Sequence, residues 1–177
     1  VYFYENGGKQ AEGRFNEGLR SGLWSYYYEN GEISASGNYE EGEKNGPWTY
    51  FNENGTKSSE GIEIKGRKEG NWRIYDSEGY MKGEGFFESG SGEYKEFYDN
   101  GNLKVIGKMK DGIHEGKWIY YYEDGSLEGE ADFTNGEGDY TGYYLNGKIK
   151  MKGKIKNGKN VGNWELYKED GSVAGYY

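Results

Sequence analysis

The sequence predicts an all-β protein: an elongated, solenoid-like twisted sheet of about seven to eight consecutive antiparallel β-hairpin repeats. Three periodic features predict it. An aromatic anchor, with glycine two residues before it, recurs at Trp24, Trp48, Trp72, Tyr94, Trp118, Tyr140 and Trp164, in steps of 24, 24, 22, 24, 22 and 24 residues. A turn glycine, mostly after Asn or Asp, recurs at Gly7, Gly31, Gly55, Gly79, Gly101, Gly125, Gly147 and Gly171. A second glycine stands eleven residues beyond each of the first seven, at Gly18, Gly42, Gly66, Gly90, Gly112, Gly136 and Gly158. Periods in this range signal an array of one supersecondary unit stacked on its neighbours. The two-residue shortenings fall between Gly90 and Gly92 and between Gly136 and Gly138, which reads as variation confined to a linker.

Each repeat reads as one hairpin. Tyr, Trp and Phe favour strands, and Asn-Gly between two such runs signals a tight turn. Strand one runs from the anchor, as in Trp24 to Tyr28, and strand two follows the turn, as in Ile33 to Tyr39. Glycine at this density argues against helix. At the turn, Gly is invariant, whereas the preceding position includes Glu78, which would be strained at positive φ. A three-residue loop, a type I turn closed by a glycine bulge, needs positive φ only at the Gly. In that register Tyr27 sits opposite Ile33. Continuing by twos along strand two then gives a packed face through Gly37 and Tyr39, the glycine leaving room for a neighbouring ring. The anchor Trp and its i+2 and i+4 partners are expected on the other face.

The single array is expected to span 1–177, with repeats at approximately 1–23, 24–47, 48–71, 72–93, 94–117, 118–139, 140–163 and 164–177. Val1-Tyr2-Phe3-Tyr4 matches Ser25-Tyr26-Tyr27-Tyr28 without its anchor, so the chain reads as a fragment of a longer one. Only 33% of residues are apolar and 18% are aromatic, so the aliphatic core of an ordinary domain is missing and stacked rings must replace it. With no cysteine, disulfides, thiolate metal sites and thiol nucleophiles are excluded. The net charge of −9 disfavours nucleic acid and anionic membrane as partners. Residues 140–177 run against this balance, with seven Lys and three acids.

The string Gly-x-Trp-x-Tyr-Tyr-Tyr-x-(Asn/Asp)-Gly, followed by Gly-aromatic-Gly, is best seen at Gly22–Gly42 and Gly116–Gly136. It resembles the MORN repeat in its bacterial variant form, and the resemblance covers essentially the whole chain. It implies consecutive antiparallel hairpins and a scaffold or binding role. The same variant occurs in proteins labelled as the YwqK-type antitoxin family and in secreted or surface proteins of bacteria.

Nothing in the sequence suggests an enzyme or a cofactor. The only histidine, His114, lies between Gly112 and Gly116 and reads as a solvated loop residue. Glu5, Glu29, Glu53, Asp99, Glu123 and Glu169 recur before the turns, where turn chemistry and solubility explain them without a metal. The main binding candidate is an aromatic stripe of Trp24, Tyr26, Tyr28, Trp48, Tyr50, Trp118, Tyr120 and Tyr122. Such rings either bind a partner or hold a thin sheet together. Lys148, Lys150, Lys152, Lys154 and Lys156 alternate with Ile149, Met151, Gly153 and Ile155 and are expected on one face. They form either an aggregation block or a basic docking face for an acidic partner, a second copy included. Three functions follow: an exported or surface-displayed protein-interaction scaffold, a cell-surface glycan-binding module, or an antitoxin-type protein neutralising a toxin. Localisation at the bacterial surface or outside the cell is favoured over the cytoplasm.

Overall fold

A computed structural model describes residues 1–177 and contains sixteen strands and no helix. The chain divides into two compact units, Val1–Gly90 and Ser91–Tyr177. The first holds β1 (Tyr2–Phe3), β2 (Lys9–Asn16), β3 (Leu19–Tyr27), β4 (Ile33–Glu40), β5 (Glu43–Phe51), β6 (Lys57–Ile64), β7 (Arg67–Tyr75) and β8 (Met81–Glu88). The second holds β9 (Ser91–Phe97), β10 (Leu103–Lys110), β11 (Ile113–Tyr121), β12 (Leu127–Thr134), β13 (Glu137–Tyr143), β14 (Ile149–Lys156), β15 (Lys159–Tyr167) and β16 (Val173–Tyr176). Within each unit every strand pairs antiparallel with the next in sequence, and the strands do not close into a barrel.

Two turn types alternate. At the hairpin tips, the Gly31 N–H donates to Tyr28 O (3.0 Å) and the Tyr28 N–H donates to Glu32 O (2.8 Å), with Gly31 at φ 91°. This is the expected three-residue loop, and Asn30 keeps a negative φ. At the return turns both central residues have positive φ, as at Glu41 (50°) and Gly42 (85°). These are two-residue type I′ turns. Their first residues include Glu17, Glu41, Lys65 and Ser89, side chains that seldom adopt this conformation, held there by paired strands on both sides.

The expected register is present at the tips, where Tyr27 pairs with Ile33 and Tyr75 with Met81. The face assignment built on it is overturned. Tyr26 pairs with Ala35 rather than Ser34, so one extra residue is accommodated between Ile33 and Ala35. This bulge flips the parity of everything beyond it. Trp24 pairs with Gly37 and shares the packed face with Ala35 and Tyr39, while Tyr27 and Ile33 lie on the opposite face.

The length variation is also not in a linker. In the long repeats the strand before the anchor carries two extra residues: Glu12 pairs with Ser25 and Arg14 with Ser21, so Gly22, Leu23 and Trp24 stand opposite Gly13 alone. The glycine in this bulge takes positive φ, 66° at Gly22 and 63° at Gly116. The short repeat lacks the bulge: β12 and β13 pair without interruption from Gly129–Gly142 to Thr134–Glu137, and β13 is 7 residues long against 9 for β11.

The anchors form the core. Trp24, Trp48, Trp72, Trp118 and Trp164 are buried, together with Tyr39, Phe87 and Phe133. The repeat glycines exist for these indoles: a Cβ on Gly37 would lie 2.2 Å from Trp48, and one on Gly107 would lie 2.1 Å from Trp118. Where the next anchor is Tyr140, the same row carries Ala131 instead. Four indole N–H groups donate to a backbone carbonyl bordering the bulge: Arg14 O (3.1 Å), Asn38 O (3.1 Å), Ile62 O (3.1 Å) and Lys108 O (2.9 Å). A buried indole gains from such an acceptor, which Trp164 alone of the five lacks, and a phenol anchor has no N–H to satisfy. Trp24 touches Tyr39 edge-on at 5.9 Å, and Trp118 touches Phe133 at 6.2 Å. Truncating a ring buried this way costs about 3–5 kcal/mol.

Candidate protein-interaction surface

The aromatic stripe is not an open platform. Trp24 is 0% exposed, and Trp48 and Trp118 are likewise buried, because the bulge turns them onto the packed face. Tyr26, Tyr50 and Tyr120 are half-buried beside them. The Tyr26 and Tyr39 hydroxyls hydrogen-bond at 2.8 Å, and Tyr50 donates to the buried carboxylate of Glu63. Burial pushes the Tyr120 phenol up to about 12. Tyr28 and Tyr122 have left their strands: their hydroxyls donate to the backbone carbonyls of Phe51 (2.7 Å) and Tyr143 (2.6 Å), tying each hairpin tip to the next. The eight residues therefore hold the sheets together.

A cation covers each indole of the first unit. Arg20 lies 5.0 Å from the centre of the Trp24 ring, Lys44 4.2 Å from Trp48 and Lys68 4.3 Å from Trp72. Each sits four residues before its Trp on the strand entering the bulge. Lys44 also donates to Tyr50 Oη at 2.7 Å and lies 3.6 Å from Glu63. Burial lowers the Lys68 ammonium, partly opposed by Glu63. His114 fills this slot in the second unit, which corrects its reading as a solvated loop residue. It lies in β11, 3.8 Å from the Trp118 ring centre and 5.1 Å from Phe133. Burial lowers its pKa.

The lysine strand also differs from expectation. β14 pairs on both sides, with β13 and β15, so it is not an edge. The pairing jumps from Ile149 to Met151, which puts Lys150 in the bulge, and Lys148 precedes the strand. Only Lys152, Lys154 and Lys156 keep a regular alternation. Lys156 lies 2.9 Å from Glu137, and Lys154 lies 3.8 Å from Asp139.

The surface that sequence reasoning missed is the other face of the first unit. Strand pairing places Leu23 beside Asn38, Pro47 beside Ile62, and Asn71 beside Phe86, forming a row across β3 to β8. Leu23 is 63% exposed, Ile62 45% and Phe86 53%. Pro47, Ile62, Asn71 and Arg73 line a shallow groove of about 340 Å³. Arg14 and Arg73 share the face, and Arg73 lies 3.7 Å from Glu60. The signal was present in the sequence, since these are the residues that follow the bulge glycine and the packing glycine. They differ from copy to copy, so periodicity did not expose them.

No group of three or more His, Asp or Glu side chains comes together to hold a metal. Residues 20–41, 91–111, 115–135 and 136–157 match the family model described as MORN repeat variant. Comparison with curated proteins returns no match. The hairpin unit, the glycine-spaced aromatic core and these four matches identify the chain as a MORN-repeat protein, a non-catalytic β-hairpin array suited to protein–protein interaction.

Proposed function

We propose that the chain is a protein-interaction scaffold whose partner lies along the outer face of the first unit, on Leu23, Pro47, Ile62 and Phe86. One observation carries this reading: large apolar side chains are exposed in a row on that face, while the aromatic core on the opposite face is complete without them. Exposed apolar residues scattered singly need no explanation, but a row of them, spaced by Asn38 and Asn71 and flanked by arginines, has the composition of an interface centre. A protein partner suits it better than a glycan. Sugars stack on flat aromatic faces, the indoles are buried, and the row offers aliphatic side chains with Phe86 as its one ring. An exported scaffold and an antitoxin are both special cases of this reading, differing in which protein is held.

The test is cross-linking mass spectrometry in extracts of the source cells, with Ile62→Glu/Phe86→Glu as the comparison. Both side chains are exposed, so the double variant should keep its circular dichroism spectrum. Expected is a partner cross-linked to the first unit by the unchanged chain and absent from the variant. A partner that the variant retains, or that free sugar displaces, would remove the reading.

A further inference from the structure

Asn-Gly pairs punctuate the chain at Asn6, Asn30, Asn45, Asn54, Asn100, Asn135, Asn146 and Asn157. In such a pair the glycine nitrogen can attack the asparagine side-chain carbonyl carbon. The new C–N bond closes a five-membered succinimide, the nitrogen loses its proton, and the side-chain amide leaves as ammonia. Water then opens the ring at either carbonyl, giving aspartate or iso-aspartate. No oxidant, metal or enzyme is required, and the absence of a glycine side chain leaves the nucleophile unshielded. Attack does require a glycine N–H free of hydrogen bonds and an asparagine side chain free to swing.

The fold denies both at the hairpin tips. Gly31 N–H donates to Tyr28 O at 3.0 Å, while Asn30 Oδ1 accepts from Glu32 N–H at 3.0 Å and Asn30 Nδ2 donates to Glu53 O at 2.8 Å. Gly7, Gly55, Gly101 and Gly147 are tied in the same way, to Tyr4, Asn52, Tyr98 and Tyr144, and Asn6, Asn54, Asn100 and Asn146 each accept from the N–H two residues on. Asn45 donates its side-chain amide to Glu40. At the return turn of Asn135, Gly136 N–H donates to His114 O at 3.0 Å and Gly136 is buried. Asn157 differs. Its own N–H donates to Gly136 O at 2.8 Å, but neither its side chain nor the Gly158 N–H has a hydrogen-bond partner, and both residues are exposed.

We propose that Asn157 is a spontaneous modification site: among the Asn-Gly pairs, it is the one that the fold leaves open to succinimide formation and deamidation. The product puts a carboxylate between Lys156 and Lys159. The iso-aspartyl form also adds a backbone atom to the two-residue turn joining β14 to β15, which loosens that hairpin. This reading is independent of any partner on the first unit.

The test follows the intact chain at mildly alkaline pH, with peptides resolved by mass spectrometry. Asn157 should convert at least roughly thirty-fold faster than Asn30, Asn54 or Asn146, where two or more hydrogen bonds of ordinary net strength must first open. In denaturant the four rates should converge, since the reacting pair is the same at each. Comparable rates in the folded chain would overturn the proposal. So would an Asn157 advantage that survives unfolding, because sequence rather than fold would then cause it.

Discussion

At the scale of single residues, His114 shows how one slot changes meaning with its occupant. The slot lies over an indole, and Arg20, Lys44 and Lys68 fill it with long basic side chains. His114 packs against Trp118 and Phe133, and burial alone accounts for its lowered pKa. An unfolded histidine protonates near pH 6.5, whereas the folded one resists protonation. Stability from the neutral ring is therefore fully present above about pH 6.5 and is lost as the pH falls toward the lower folded pKa. The effect precedes carboxylate protonation, because Glu130, held low by Lys117, and Glu60, held low by Lys57, titrate further down. Urea midpoints should decline across this window in the native chain and stay level in His114→Phe, which keeps an aromatic ring in the slot. A decline of equal size in both proteins would show that His114 is not the group responsible. The four-residue step from the slot to its Trp recurs at Arg20, Lys44, Lys68 and His114, so the slot was legible as a period. The intervening glycine suggested a loop instead.

At the scale of the element, the two repeat lengths are two solutions to one packing problem. The long strand carries a two-residue bulge, a Trp anchor facing a glycine, and a carbonyl at the bulge for the indole N–H. The short strand β13 has no bulge, a Tyr anchor and Ala131 opposite it. These features should therefore be coupled. Deleting Lys68 and Glu69 shortens β7 to the pattern of β9 but leaves Trp72 without its bulge, and should cost about 3–5 kcal/mol, comparable to losing the ring. Adding Trp72→Tyr to the deletion should recover at least about 1 kcal/mol, although the same substitution in the full-length strand destabilises. Urea denaturation of the four members of this cycle measures the coupling, and simple additivity would refute it. The sequence carried the anchors, the glycines and the 22- and 24-residue steps, since each is a residue type at a fixed interval. It did not carry the bulge between Ile33 and Ala35, because an extra residue in a strand needs no special residue type. A one-residue shift then exchanges the faces, which is why buried rings looked like an open stripe and the Leu23–Phe86 row went unseen.

At the scale of the whole molecule, the question is what a chain of net charge −9 does when it meets its own copies. The basic strand would draw copies together only if its charges were unspent. Lys156 is already paired with Glu137 at 2.9 Å, Lys154 lies near Glu137 and Asp139, and Lys150 and Lys152 lie 5.9 Å and 6.0 Å from the ring centres of Tyr144 and Tyr167. What remains between copies is repulsion of like net charge, together with the apolar row of the first unit. These two forces respond to salt in the same sense: screening within about 10 Å at 0.1 M weakens the repulsion, and burial of the row is unaffected or strengthened. Sedimentation should therefore find a monomer at low salt, and any association should grow as salt is added. Docking of the lysines on an acidic surface would do the reverse, associating at low salt and dissociating as salt rises. The substitutions separate the two cases further. Replacing Lys150, Lys152 and Lys154 with Glu should leave the salt-induced association in place, whereas Ile62→Glu with Phe86→Glu should abolish it. A dimer present at low salt and lost in the triple variant would reverse the assignment and make the β14 lysines the contact.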